Sequence, residues 1–281
     1  MAEIIDGKAL AAKIKSELLV RSDDFENRYG RKVGLAVIRV GANPASAVYV
    51  RNKIKACNEC NIRSFSYELD ENIDSAQLIE LIHKLNADDA VDGILVQLPL
   101  PKHIDERTVL AEIVPQKDAD GFHAVNAGKL FLGEKDGTVA CTPRGIIELI
   151  KSTGVPISGK HAVVVGRSNI VGKPVAALLL ANDATVTVCH SRTANLKEIT
   201  LTADILVVAI GKSKFITADM VKPGAVVIDV GMNRDENGLC GDVDFDGVKN
   251  VAGYITPVPG GVGPMTVAML LSNTVDGAMH E

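Results

Sequence analysis

Tyr49 and Lys53 stand four residues apart in "PASAVYVRNKIK", so on a helix they share one face. An amine held in place can take up and release a proton, the task of a general acid–base group. Spacing alone is weak support, because a lysine on a surface helix is normally solvated. Gln97 ends the apolar run "GILVQ" ahead of "LPLP", where a parallel strand delivers its last side chain into a cleft. Asp120 lies among turn residues in "QKDADGFHAVNAG". The loop "TPVPGGVGPMT", residues 256–266, holds three glycines and three prolines. That composition gives a stiff path of bare backbone, suited to close contact with a planar ligand.

A second constellation is "VVVGRSNIVGKP", Val163 to Pro174. A nucleotide-triphosphate loop reads G-x-x-x-x-G-K-[ST], and here Arg167 replaces its first glycine and Pro174 its hydroxyl. The dinucleotide fingerprint G-x-G-x-x-G keeps Gly166, but Ser168 and Val171 occupy the later glycine positions. What remains is a strand, a tight turn and a helix start. The following strand ends "TVTVCHSRT", with His190, Ser191, Arg192 and Thr193 at its tip and no acid among them. An acid there would accept from the ribose 2′-OH of NAD and repel the 2′-phosphate of NADP. Its absence, with Arg167, Ser191 and Arg192 as donors to a phosphate dianion, selects NADP. The runs "ADILVVAIGK" and "VVIDVGMNR" end in Gly211 and Gly231 at strand ends, where ligands of open α/β sheets bind. Met232 therefore faces the nicotinamide end or simply packs the loop.

The elements that must position these residues alternate. "VGLAVIRV" reads as a buried strand, "NPASAVYVRNKIKACNEC" as a helix with Pro44 in its first turn, and "IRSFSYEL" as a weaker strand. "DSAQLIELIHKLNAD" follows as an amphipathic helix, then the strand that ends at Pro99. This order implies parallel strands with helical crossovers. Residues 102–142 read as irregular, and "PRGIIELIKSTG" as a connecting helix. A second alternation runs from His161, and a last helix starts at Pro264. The fold class expected is α/β in two domains, with the active-site cleft between them. Residues 1–141 form the first, with helix 264–281 packing back on it; residues 142–263 form a Rossmann-type domain.

Bulk composition excludes other classes. With 281 residues, 47% hydrophobic and 23% charged, the chain suits a globular two-domain protein. A net charge of −5 gives no general field for nucleic acid. No run approaches a membrane span, and the N-terminus is not a signal peptide. Five cysteines, an odd number, suit a reducing cytosol. Cys57-x-x-Cys60 has no second metal-ligand pair, so it reads as two helix cysteines and no metal is expected.

Together, Y-V-R-N-K, G-I-L-V-Q-L-P-L-P, K-D-A-D-G-F-H, V-V-G-R-S-N-I-V-G-K-P, D-V-G-M-N-R, G-D-V-D-F and T-P-V-P-G-G-V-G-P-M-T resemble the bifunctional methylenetetrahydrofolate dehydrogenase/methenyltetrahydrofolate cyclohydrolase family, over nearly the whole chain. The resemblance implies NADP-dependent oxidation of 5,10-methylene- to 5,10-methenyltetrahydrofolate, then hydrolysis to 10-formyltetrahydrofolate, by a cytoplasmic homodimer. It implies that Lys53 is catalytic, with Tyr49 and Gln97 as partners, and that Asp120 holds the pterin. It puts Gly166, Arg167, Ser168, Ser191 and Met232 at the cofactor, and Pro259, Gly260 and Gly261 with Tyr49 and Gln97 at the substrate. A shikimate-type dehydrogenase also joins a substrate domain to an NADP domain and uses a lysine, but leaves Q-L-P-L-P and P-G-G-V-G-P unexplained. A non-catalytic NADP-sensing module would not need Lys53, Tyr49, Gln97 and Asp120 together.

Overall fold

The computed structural model describes residues 1–236 and 238–279. Strand β1 (Glu3–Ile4) leads into the long helix α1 (Gly7–Tyr29). Then come β2 (Gly34–Val40), α2 (Pro44–Glu59), β3 (Arg63–Leu69), α3 (Ser75–Asn86) and β4 (Gly93–Val96). These strands form a three-stranded parallel sheet of order β3-β2-β4. The central strand, "GLAVIRV", is covered on both faces along its apolar stretch Gly34–Ile38, and Arg39 near its end pairs with Glu68 of β3. The edge strand, "RSFSYEL", is only partly covered, which explains its mixed composition. Helix α3 starts at Asp74, whose side chain accepts from Gln77 N at 2.7 Å, and it buries Leu78, Ile82 and Leu85.

Residues 102–142, expected to be irregular, contain two short helices, α4 (Glu106–Ala111) and α5 (Ala124–Leu132), before α6 (Cys141–Ser152). Helix α4 is capped by Asp105. Helix α5 is capped by the His123 ring and closed by Gly133 in the left-handed conformation. Both are too short to show a periodic stripe, so their turn-like caps dominated the sequence pattern.

The second alternation comprises β5 (His161–Val165), α7 (Gly172–Ala181), β6 (Thr185–Cys189), α8 (Leu196–Thr200), β7 (Ile205–Val208) and β8 (Val226–Asp229). A hairpin of β9 (Asn233–Asp235) and β10 (Gly238–Cys240), helix α9 (Phe245–Val248), β11 (Tyr254–Ile255) and α10 (Val262–Met279) complete it. The main sheet has six strands, all parallel, in the order β1-β11-β8-β7-β5-β6. Val163, Val165, Leu206, Val208 and Val227 fill its core.

By contact the chain separates into two units. One comprises Met1–Ala11 with Thr142–Thr266; the other comprises residues from Ala12 to Cys141 and from Val267 on. The first residues, expected in the N-terminal domain, belong to the six-stranded sheet, because Glu3 and Ile4 pair with Tyr254 and Ile255. Among the described residues no helix is long and apolar enough to cross a membrane.

Candidate active site

Helix α2 buries Val50, Lys53, Ala56 and Cys57, a spacing of three and four that puts Lys53 on its inward stripe. Lys53 is only 8% exposed, so it is not the solvated lysine that a surface helix would carry. Its Nζ donates to Gln97 Oε1 at 3.0 Å. Gln97 follows β4 directly. Its backbone N–H extends the ladder to Ile38 O at 2.8 Å, and its Nε2 donates to Leu98 O at 2.7 Å. Tyr49 lies one turn before Lys53 on α2 and is exposed. One turn after it, burial pushes the Cys57 thiol up to about 12 and likewise Cys60 up to about 11. Both stay protonated at neutral pH, the form that neither attacks nor binds metal.

Asp120 sits in a loop fixed from several sides. Asp118, buried, accepts from Gly121 N at 3.1 Å, His123 N at 2.8 Å and Asn126 Nδ2 at 2.9 Å. Asn273 of α10 donates to Ala119 O and to Val139 O, each at 2.9 Å. Cys141 N donates to Asp120 O at 3.2 Å. The Asp120 carboxyl is enclosed by protein although part of the residue stays accessible, and burial pushes it up to about 6. The positive charge of Lys53 pulls against that shift and the negative charge of Asp118 adds to it. An amine, an amide and a carboxylate of perturbed affinity for protons thus converge in one unit. Such a set can orient a polar ring and move a proton.

The other unit carries the remaining expected residues at the C-terminal ends of its strands. Gly166 follows β5 with a φ of 128°, and a Cβ there would overlap the carbonyl oxygen of Ala209. Arg167 and Ser168 follow, both exposed. The Ser168 hydroxyl oxygen accepts from Val171 N at 3.2 Å and Gly172 N at 3.3 Å, capping α7 and leaving its own proton to donate. At the tip of β6, Thr193 Oγ1 accepts from His190 N at 2.8 Å and His190 Nδ1 from Arg192 N at 3.1 Å. That turn leaves Ser191 and Arg192 exposed. A helix N-terminus, two guanidinium groups and two hydroxyls fit a dinucleotide bearing a 2′-phosphate. Met232 follows β8, is half exposed, and has its methyl beside Gly263. Pro259, Gly260 and Gly261 lie between β11 and α10, with a cis Val258–Pro259 bond and Gly261 N donating to Pro257 O at 2.9 Å.

The structure therefore brings Lys53, Gln97 and Asp120 together and collects Gly166, Arg167, Ser168, Ser191, Met232 and the 259–261 loop in the other unit. The sequence reading missed Asp118, Asn126 and Asn273, which hold the Asp120 loop. A signal existed for Asp118, because an aspartate three residues before a glycine in a polar run favours a side-chain-closed turn.

Two family models match the chain. Residues 5–120 match the tetrahydrofolate dehydrogenase/cyclohydrolase catalytic domain and residues 140–281 the NAD(P)-binding domain of the same family. The bifunctional protein FolD of Acetivibrio thermocellus is 60% identical over 278 residues, 99% of this chain and 97% of that protein. Among solved structures, the bifunctional FolD enzyme of Campylobacter jejuni has a TM-score of 0.97 at 52% identity, covering 99% of each chain. The Trypanosoma brucei enzyme, solved with NADP cofactor and an inhibitor, has a TM-score of 0.93 at 44% identity, covering 99% of this chain and 97% of that one.

Proposed function

The chain belongs to the tetrahydrofolate dehydrogenase/cyclohydrolase family, and from that membership we propose how its side chains divide two reactions. The protein is a bifunctional enzyme that oxidises 5,10-methylenetetrahydrofolate to 5,10-methenyltetrahydrofolate with NADP⁺ and hydrolyses the product to 10-formyltetrahydrofolate.

The oxidation needs geometry. The methylene carbon lies between two nitrogens whose lone pairs spread the positive charge as hydride departs, so no protein base is called for. NADP⁺ supplies the hydride acceptor when bound. Arg167, Ser168, Ser191 and Met232 would hold it, Gly166 would let the loop pass close, and Pro259, Gly260 and Gly261 would offer bare backbone to the planar substrate. Asp120 accepts from the pterin amino group and the neighbouring ring N–H, a donor pair that matches a carboxylate. Hydride transfer of this kind calls for a near-attack separation of about 3–3.5 Å between the reacting carbon and its acceptor.

The hydrolysis needs a proton carrier. Water adds to an amidinium-like cation and one of its protons is lost to solvent; the other then moves from the adduct's hydroxyl to the leaving ring nitrogen as the C–N bond breaks. Lys53 is the group that takes and returns this proton, with Gln97 fixing its Nζ and Tyr49 on the same helical face. The observation that carries this assignment is a lysine withdrawn from solvent and hydrogen-bonded to a strand-tip glutamine 3.0 Å away. Absorbance tests it directly. Methylenetetrahydrofolate plus NADP⁺ should yield NADPH and a methenyl chromophore that then decays, and absence of NADPH formation would overturn the reading. We also propose a cytoplasmic homodimer. The family resemblance supports it, free cysteines suit a reducing compartment, and sedimentation at monomer mass would refute the dimer.

A further inference from the structure

Two buried carboxylates organise the C-terminal ends of β7 and β8, beside the phosphate loop. Asp242, in the turn from β10 into α9, uses both oxygens. Its Oδ2 accepts from Ile210 N at 2.6 Å and Gly211 N at 3.0 Å, and its Oδ1 from Lys212 N at 2.8 Å and Asn233 Nδ2 at 2.9 Å. Asp229, the last residue of β8, accepts on Oδ1 from Asp242 N at 2.9 Å and Gly231 N at 3.0 Å, and on Oδ2 from Val243 N at 3.0 Å. Its own N–H donates to Thr256 Oγ1 at 2.8 Å. The two residues interlock. A Cβ on Gly241 would overlap the Asp229 carboxylate, and one on Gly231 would overlap that of Asp242.

Burying a carboxylate is costly, and here the cost is offset by backbone N–H groups and one amide rather than by a cation. Burial pushes Asp229 up to about 6, with the N–H bonds pulling it down and the charge of Asp242 adding to the rise. Well-packed apolar side chains would stabilise these strand ends at least as well as buried charge. What the pair achieves that packing would not is a fixed shape for two loops, Ile210–Lys212 after β7 and Gly231–Asn233 after β8.

Topology says what those loops face. In the order β8-β7-β5-β6 the phosphate loop follows β5, and the tip of β6 takes the adenosine ribose. A dinucleotide crossing the sheet from β6 over β5 must lay its other half over β7 and β8. We propose that Asp242 and Asp229 are positioning residues for the nicotinamide half of the cofactor site, holding the β7 and β8 loops in the shape that half requires. The inference rests on the NADP-dependent function above.

Asp242→Asn is nearly isosteric and tests it sharply. With N–H donors on both oxygens, either orientation of the amide turns an NH₂ toward a pair of donors. In the full-length protein, calorimetry with NADP⁺ should show binding weakened by about tenfold or more, the scale of hydrogen bonds to a charged group. Dehydrogenase kcat/KM should fall at least as far. Cyclohydrolase activity on methenyltetrahydrofolate, measured without cofactor, should stay at the wild-type level, which a general loss of structure would not permit. Where Asp242→Asn does not fold by circular dichroism, Asn233→Ala removes a single donor and should give the same split at smaller size. Unchanged NADP⁺ affinity, or equal proportional loss of both activities, overturns the pair's role. A wild-type protein lacking either activity would instead overturn the functional reading itself.

Discussion

Folate binding should depend on pH through Asp120. The pterin donors are accepted by the ionised carboxylate, so the free protein binds in its deprotonated form. Burial raises the Asp120 carboxyl from 3.8 to about 6. The sign follows: affinity is full above about pH 7 and is lost as pH falls through 6, provided the bound carboxylate stays ionised, as two accepted N–H bonds ensure. At pH 5 a carboxyl that titrates at about 6 is ionised in roughly one molecule in eleven, so apparent affinity drops about tenfold. One titrating at 3.8 would lose only about 6% over the same range. The neighbours add a second test. Lys53→Met removes the charge that pulls Asp120 down, so the inflection should move to higher pH; Asp118→Asn removes the opposing charge and should move it lower. Equilibrium titration of a folate analogue from pH 5 to 8 measures both effects, with Asp120→Asn as a variant expected to be flat. A wild-type profile as flat as that of Asp120→Asn, or inflections that ignore Lys53 and Asp118, would refute the reasoning.

Three further outcomes are expected. Lys53→Met should lose about 10²–10⁴-fold in cyclohydrolase activity, the usual worth of a general acid–base group, and less in dehydrogenase, so methenyltetrahydrofolate accumulates. Wild-type hydrolysis rates in that variant would remove Lys53 from the reaction. Arg167→Gln should weaken NADP⁺ use by about 1–2 kcal/mol, the low part of the range for charged hydrogen bonds because Arg167 is exposed, and leave NAD⁺ use nearly untouched. Comparing kcat/KM for the two cofactors decides it, and equal losses would count against a 2′-phosphate contact. Gly166→Ala forces a Cβ onto the Ala209 carbonyl at a φ of 128° and should cost about 1–3 kcal/mol of stability together with NADP⁺ affinity. An unchanged Tm and Kd would show that the loop has another conformation available.

The strands were legible because burial on both faces of a parallel sheet demands near-continuous apolar runs, as in "GLAVI" and "AVVV". The dinucleotide turn was legible because glycine and a helix start follow a strand within one local stretch. Strand β1 was not. It is two residues long and takes its meaning from Tyr254 and Ile255 at the opposite end of the chain. The burial of Lys53 was equally hidden. In "VYVRNKIK" its neighbours Arg51, Asn52 and Lys55 suggest a wet helix, and only the packing of α2 against β2 and β3 turns Lys53 inward to a glutamine 44 residues away.

The two carboxylate devices show where that boundary runs. Asp118 collects N–H groups from Gly121, His123 and Asn126, three to eight residues ahead, so "DADGFHAVN" contains both the acceptor and its donors. Asp242 does the same task for Ile210, Gly211 and Lys212, but across 30 to 32 residues. Nothing in "GDVDF" announces those donors, because their position depends on the turn after β10 meeting the C-terminal end of β7. Physically the devices are alike: each carboxylate is buried where several N–H donors, mostly of the backbone, converge on it, and convergence holds a loop in one shape. They differ in how the donors arrive. At Asp118 a local turn delivers them, so the sequence displays the device. At Asp242 the sheet delivers them, so the device exists only once the fold does.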